Sequence, residues 1–218
     1  MISALAALER LQSGNQRFVA QVRNERPLTD SDRRNELVTG QEPFAIILGC
    51  SDSRVPAEII FDQGLGDLFV IRVAGNIVAP SLVGSIEFAA ERFGTRLVVV
   101  LGHSMCGAVQ ATLDELERPS PQRSPNLHSI VDRIRPSVES LYELRDSLSR
   151  EELIRGSVRA NIRASANHLR HGSQILEELI QHDGLLVIGA EYSLETGQVS
   201  FFDGLPQLLL MTLSPPWK

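Results

Sequence analysis

The feature that most constrains the fold is a series of short apolar runs separated by helical patterns. The runs are rich in Ile, Val and Leu, a composition that is typical of buried parallel strands. They cover Phe44–Leu48, Leu68–Val73 and Leu97–Leu101, with a fourth at Leu185–Ile188 and an edge strand expected at Gln198–Phe202. This alternation of strands and helices predicts an α/β fold with a mainly parallel β-sheet flanked by helices.

Helical patterns account for most of the remaining chain. Two helices are expected between the strands, at Ser81–Phe93 and Ala108–Glu117. The stretch Arg118–Asn126 is rich in Pro and Ser and predicts a loop. Residues 127–181 beyond it are almost entirely helical in pattern, so the C-terminal half of the chain is expected to be rich in helices.

The N-terminus predicts an amphipathic helical arm. Its apolar residues fall on one expected helical face, namely Ile2, Leu5, Leu8 and Leu11. The whole chain, 1–218, is interpreted as a single domain in four parts. These are the arm (1–25), an α/β core (42–117), a helical segment (127–182) and the C-terminal strands (185–203).

Composition excludes several functional classes. The chain has 218 residues and a net charge of −6, with no long Lys/Arg cluster, which argues against binding nucleic acid or anionic membranes. No apolar run approaches the length needed to cross a bilayer. The N-terminal residues lack the pattern of a signal peptide, and two cysteines form no disulfide framework, so a cytoplasmic location is expected.

The residues that carry chemistry follow the first and third strands. Cys50, Asp52 and Arg54 come directly after one strand, and His103 and Cys106 come after the other. In an open parallel sheet, functional groups collect beyond the carboxyl ends of neighbouring strands. Two thiolates and one imidazole form a ligand set of catalytic zinc sites and leave one position open. If the two strands are neighbours, the sequence therefore predicts a zinc centre at this edge.

Asp52 and Arg54 predict a switch at this centre. The Asp52 carboxylate can act as a fourth ligand, whereas a bidentate pair with Arg54 would hold it away and let water bind. Each element also has a simpler interpretation, because a lone Cys is often a small buried residue and an Asp–Arg pair is often a surface ion pair. A phosphatase-type nucleophilic Cys50 is disfavoured, because Arg54 follows it too closely.

Four ordered motifs together resemble those of the β-class carbonic anhydrases. They are CSDSRVPAE (Cys50–Glu58), DQGLGDLFVIRVAGN (Asp62–Asn76), GSIEFA (Gly84–Ala89) and GHSMCGAV (Gly102–Val109), and the match extends through GAEYSLETG (Gly189–Gly197). The resemblance covers most of the chain, from about Phe18 to Gly197. It implies zinc-dependent reversible hydration of carbon dioxide to bicarbonate and a proton, with one zinc ion per chain.

The resemblance also implies roles for individual residues. Cys50, His103 and Cys106 match the zinc ligands, and Asp52 with Arg54 matches the dyad described above. The positions that match the substrate pocket are Gln41, Phe69, Ala74 and Phe88. A homodimer or a dimer of dimers is implied, with the active site at the subunit boundary and the N-terminal helix embracing the partner.

Two departures from the family pattern stand out. Ile47 occupies the position of a Trp that some bacterial members use in a second, inhibitory bicarbonate site, so no such site is expected. Phe88 stands where other members have a Tyr and removes a hydroxyl group from the pocket. Two alternative functions remain open. One is a carbonyl sulfide or carbon disulfide hydrolase on the same scaffold, and the other is a catalytically silent zinc module, against which the retained Asp52–Arg54 pair argues.

Overall fold

A computed structural model describes residues 2–22, 30–119 and 124–206, and its five strands form one sheet. The strands are β1 (Ala45–Cys50), β2 (Leu68–Val73), β3 (Leu97–His103), β4 (Leu186–Tyr192) and β5 (Val199–Asp203). Their order across the sheet is β2-β1-β3-β4-β5; the first four are parallel, and β5 runs antiparallel to β4. The predicted mainly parallel α/β fold is therefore confirmed, although β3 and β4 extend beyond their predicted ends.

The two helices predicted between the strands, Ser81–Phe93 and Ala108–Glu117, are present as the fourth and fifth of eight helices in the described residues. The bounds of the eight are α1 (Ala4–Val19), α2 (Ser31–Leu37), α3 (Ala57–Ile60), α4 (Pro80–Arg92), α5 (Gly107–Glu117), α6 (Pro125–Tyr142), α7 (Arg150–His171) and α8 (Gln174–His182). The single helical segment expected after residue 126 is three helices, with a short 3-10 turn after α6. Within the expected loop Arg118–Asn126, residues 120–123 lie outside the described residues. Helices α2 and α3 were not predicted, because such short helices carry little periodicity.

The sheet is buried on both faces, which explains the continuous apolar runs. In β1, Ile46 and Leu48 face a core built with helices α4 to α8, whereas Ile47 faces a second core built with α1 and α3. All six residues of β1 are buried. Side chains alternate between the two faces of a strand, so a strand covered on both sides needs an apolar residue at every position.

Helix α1 packs against its own sheet rather than standing free as an arm. Leu8 and Leu11 are fully buried, whereas Ile2 and Leu5 are 41% and 42% exposed. The predicted apolar face is thus only half correct, because the small residues Ala4 and Ala7 lie inside instead. A Cβ atom at Gly14 would lie 1.8 Å from the Phe61 carbonyl oxygen, so the glycine permits this close approach. Residues 23–25 of the expected arm lie outside the described residues.

Helix α7 begins at a capping box and covers the centre of the sheet. The Ser149 hydroxyl accepts a hydrogen bond from the Glu152 amide, and the Glu152 carboxylate accepts one from the Ser149 amide. Its buried stripe includes Ile154, Val158 and Ile162. None of the helices that the structure describes is long and apolar enough to span a bilayer.

The strand order reverses at β1, which makes the edge beside β1 and β3 a topological switch point. The chain passes from β1 to β2 on one side and then returns to place β3 on the other side of β1. The connections that leave β1 and β3 therefore diverge, which opens a crevice beyond their carboxyl ends. The neighbouring position of these two strands is the condition on which the predicted metal site depended.

Candidate metal centre

The crevice between β1 and β3 brings Cys50, His103 and Cys106 together. Cys50 is the last residue of β1, His103 is the last residue of β3, and Cys106 directly precedes α5. One potential ligand atom from each of the three side chains lies within 4.8 Å of the other two. All three side chains are buried. The convergence expected from the strand ends is therefore present.

His103 is oriented to offer its Nε2 atom. Its Nδ1–H group donates a hydrogen bond to the Ser104 carbonyl oxygen over 2.9 Å. That bond selects the tautomer in which Nε2 carries a free lone pair. Within the described part of the chain, Nε2 has no hydrogen-bond partner, although it is fully buried. A buried polar atom without a partner is costly, and a metal ion would satisfy it.

The two sulfur atoms also fit a cation. The neighbouring Cys106 side chain is the main cause that lowers the pKa of Cys50 to about 4, and His103 and the Gly75 amide contribute. The Gly75 N–H group lies 3.3 Å from Cys50 Sγ. The interaction with Cys50, followed by burial, raises the pKa of Cys106 above its usual range. Only one thiolate is therefore stable without a cation, whereas zinc binds two deprotonated thiols.

The Asp52 carboxylate is held by Arg54 at the edge of this centre. Arg54 Nε donates to Oδ1 over 2.9 Å and Nη2 donates to Oδ2 over 2.7 Å, a bidentate geometry. The side-chain hydrogen bonds of Arg54 hold the pKa of Asp52 well below its usual range. Asp52 Oδ2 lies 3.8 Å from His103 Nε2. The carboxylate is thus ionised, close to the candidate ligands and turned toward Arg54.

Arg72 braces the backbone that carries these groups. Its Nε atom donates to the Cys50 carbonyl over 3.0 Å, and its Nη2 atom donates to the Asp52 carbonyl over 2.6 Å. Sequence reasoning did not assign this role to Arg72. The signal that could have indicated this role is the presence of a charged residue, Arg72, within the otherwise apolar run that forms β2. Ile47, where the inhibitory site of some relatives has a Trp, is fully buried in the core.

The four expected pocket residues do not all reach the metal centre of their own chain. Ala74 follows β2 and lies beside Gly75, whose amide contacts Cys50. Gln41 is exposed in the segment before β1, at the opposite end of a six-residue strand that spans roughly 20 Å. Phe69 pairs with Ile46 near that same end of the sheet.

Phe69 and Phe88 instead belong to an aromatic cluster on the outside of the chain. Their ring centroids are 6.4 Å apart, and Phe93 contacts both rings at 6.0 and 5.7 Å. Phe88 is 53% exposed. Gln41 and Phe93 line the same surface cleft. Gln41, Phe69 and Phe88 therefore lie near one another, but away from the end of the sheet at which Cys50 lies.

An α/β sheet with two thiols and one imidazole at its switch point has the arrangement of a metalloenzyme with an open coordination position. A sequence model of the family described as carbonic anhydrase matches residues 45–199. Carbonic anhydrase 2 of Mycobacterium tuberculosis is 40% identical over 199 residues, which cover 91% of this chain and 93% of that protein. The carbonic anhydrase of Mycolicibacterium smegmatis is 38% identical over 198 residues, which cover 89% and 91%.

Among solved structures, the β-carbonic anhydrase CafA of Aspergillus fumigatus is similar in fold and sequence. It matches with a TM-score of 0.71 and 28% identity, over 95% of each chain. The family match covers most of the sequence, including every residue of the candidate metal centre. The chain belongs to the carbonic anhydrases, and within them to the β class.

Proposed function

We propose that Cys50, His103 and Cys106 hold the zinc ion with which this carbonic anhydrase interconverts carbon dioxide and bicarbonate. The observation that carries the assignment is the buried, unpartnered Nε2 atom of His103, which lies beside two cysteine sulfurs. A zinc ion bound by such ligands supplies Lewis acidity that lowers the pKa of water to about 7. The reaction is the reversible hydration of carbon dioxide to bicarbonate and a proton.

Asp52 and Arg54 are proposed to work as a pair beside the zinc ligands. The ionised Asp52 carboxylate accepts hydrogen bonds and has no proton to donate, so it is suited to orient a hydroxyl group close to His103 Nε2. Arg54 occupies both carboxylate oxygens and thereby keeps Asp52 from becoming a further ligand. Asp52 thus orients the hydroxyl group, while Arg54 keeps the open coordination position of the zinc site accessible.

The assignment of function is tested by measuring carbon dioxide hydration with and without metal. We expect rapid turnover by the purified protein, loss of turnover after chelation and dialysis, and recovery when zinc is added back. Full activity in protein shown to be free of metal would contradict the proposal. Hydrogen sulfide release from carbonyl sulfide or carbon disulfide at a higher rate would favour the hydrolase alternative. A zinc-loaded protein without turnover on any of these substrates would favour the silent module.

The substrate pocket is proposed to be completed by a second copy of the chain. Gln41, Phe69 and Phe88 are remote from the metal centre of their own chain, yet they lie near one another at the β2 side of the molecule. Strand β2 is an edge strand, and residues 69–73 are partly exposed. Half-buried apolar side chains beside an unpaired strand edge favour association with another copy. A homodimer, alone or paired into a dimer of dimers, would bring this patch to a partner's Ala74.

Mixing two inactive variants tests this arrangement. A Gln41→Ala chain retains its metal ligands, and a Cys50→Ser chain retains Gln41. If Gln41 acts on the partner's centre, each mixed dimer contains one intact site. Random pairing makes about half of the dimers mixed, so about a quarter of parental activity should return after co-refolding.

The control is a mixture of Gln41→Ala with a Gln41→Ala/Cys50→Ser chain, which contains no intact site in any arrangement. Light scattering of the parent should give the mass of a dimer or a multiple of it. No recovery in the first mixture, despite mixed dimers isolated by two affinity tags, would mean that Gln41 does not act across subunits. A fully active monomer would exclude the shared pocket altogether.

A further inference from the structure

Asn161 is a buried polar side chain within the apolar stripe of α7. Its side chain is 2% exposed, and its Nδ2 atom donates a hydrogen bond to the Gly75 carbonyl oxygen over 2.7 Å. The amide of the same residue, Gly75, donates to Cys50 Sγ over 3.3 Å. A side chain on a helix far along the sequence is therefore linked through one residue to a proposed zinc ligand.

Gly75 needs to be held in place from outside its own turn. Its φ of +72° lies in the left-handed region, which favours glycine. A Cβ atom there would lie 2.8 Å from Ile134 Cδ1 and 3.0 Å from the Ala108 Cβ atom, so no larger residue fits without movement. Glycine adopts this conformation readily, but it also has more backbone freedom than other residues. The hydrogen bond from Asn161 to the Gly75 carbonyl limits that freedom and favours the orientation in which the Gly75 amide points at Cys50 Sγ.

Helix α7 also packs closely against β3, the strand that carries His103. A Cβ atom at Gly102 would lie 2.5 Å from both Cδ1 and Cγ1 of Ile162, the residue after Asn161. Gly102 directly precedes His103 at the end of β3. Two consecutive residues of α7 thus contact the two backbone segments that position Cys50 and His103.

We propose that Asn161 is a positioning residue of the metal centre, acting through Gly75 to hold an N–H···S hydrogen bond on the Cys50 thiolate. The inference rests on the proposed zinc assignment of Cys50. A hydrogen bond to a thiolate disperses its negative charge, which eases the approach of a second thiolate. It also fixes the direction of the sulfur atom. Outer partners of this kind typically change metal affinity or activity by about 10–100-fold when they are removed.

Asn161→Ala is compared with Ser157→Ala to separate positioning from packing. Ser157 lies on the same helix, one turn earlier, is equally buried, and its hydroxyl has no partner among the described residues. In cobalt-substituted Asn161→Ala, the sulfur-to-metal charge-transfer band should shift to longer wavelength, because a thiolate without its hydrogen bond gives up an electron more easily. Zinc affinity, measured by chelator competition, should fall by about 10-fold or more. Ser157→Ala should leave both values unchanged.

A merely structural role for Asn161 predicts a different result. Thermal stability would then fall, while the band position and the zinc affinity of the two variants stayed equal to those of the parent. That outcome would overturn the proposal. Zinc absent from the parent as well would instead count against the proposed zinc site, so the two failures are distinguishable.

The unsubstituted protein provides a test that does not depend on folding of the variant. With an NMR-active cadmium isotope bound in place of zinc, the Gly75 amide proton should show through-bond coupling to the metal across Cys50 Sγ. The side-chain amide protons of Asn161 should exchange slowly with solvent, because they are buried and hydrogen-bonded. Cadmium bound at full occupancy without coupling to the Gly75 amide would refute the inference.

Discussion

Cys106→Ser is expected to remove most of the bound zinc and, with it, carbon dioxide hydration. Cys106 is buried directly before α5, and its ligand atom lies within 4.8 Å of those of Cys50 and His103. Serine keeps the size but substitutes a neutral hydroxyl for a soft thiolate, so we expect zinc content to fall by about 10-fold or more. Elemental analysis and the hydration rate should fall together, and Cys50→Ser should behave in the same way.

Met105→Leu is the control for this prediction. Met105 directly precedes Cys106 but is exposed and offers no strong zinc ligand. Its replacement should leave zinc content and activity close to those of the parent. Full zinc occupancy in both cysteine variants would disprove the ligand assignment, whatever their activities.

Arg54→Ala is expected to leave zinc bound while lowering the hydration rate by about 10-fold or more. Without the Arg54 side chain, Asp52 Oδ2, which lies 3.8 Å from His103 Nε2, loses the hydrogen bond from Nη2, and only the backbone amide of residue 54 still donates to Oδ1. The released carboxylate can then compete for the open position of the metal. Arg54→Lys keeps the charge but loses the bidentate geometry, so it should restore only part of the rate. Ser53→Ala, an exposed neighbour, should be neutral.

The pH dependence of Arg54→Ala identifies the cause of the loss. Arg54 lowers the pKa of Asp52, so its removal raises that pKa toward the ordinary value of about 3.9. Asp52 therefore stays ionised at neutral pH in parent and variant, and protonation cannot explain a lower rate there. Competition by the carboxylate predicts the greatest loss at the acid side, where hydroxide is scarce. Parental rates for Arg54→Ala across the pH range would rule out the proposed switch.

In the parent, the hydration rate should rise gradually with pH through about 7. The buried Ile47 leaves no Trp for a second bicarbonate site, and Arg72 is already bonded to two backbone carbonyls. Bicarbonate should therefore inhibit only as a product. A steep loss of activity below neutrality that depends on bicarbonate would contradict this expectation.

The sequence by itself was sufficient to predict the strands that carry the candidate site. The runs at Phe44–Leu48 and Leu97–Leu101 are apolar at every position because both sheet faces are buried, and this local pattern is readable without coordinates. The polar residues that follow them could be assigned to one crevice by the general rule for parallel sheets. The Asp52–Arg54 pair was likewise predictable, since its partners are two residues apart.

Only the tertiary structure shows which contacts support the site and that Gln41 lies away from the metal centre of its own chain. The Nδ1 bond of His103 and the link from Asn161 through Gly75 to Cys50 depend on contacts between segments whose relative positions no local pattern specifies. The packing of α1 through alanines, rather than Ile2 and Leu5, depends on the shape of the facing sheet. Gln41 is only nine residues from Cys50 in sequence, but an extended strand separates them, and this distance is the reason for proposing that a second copy completes the pocket.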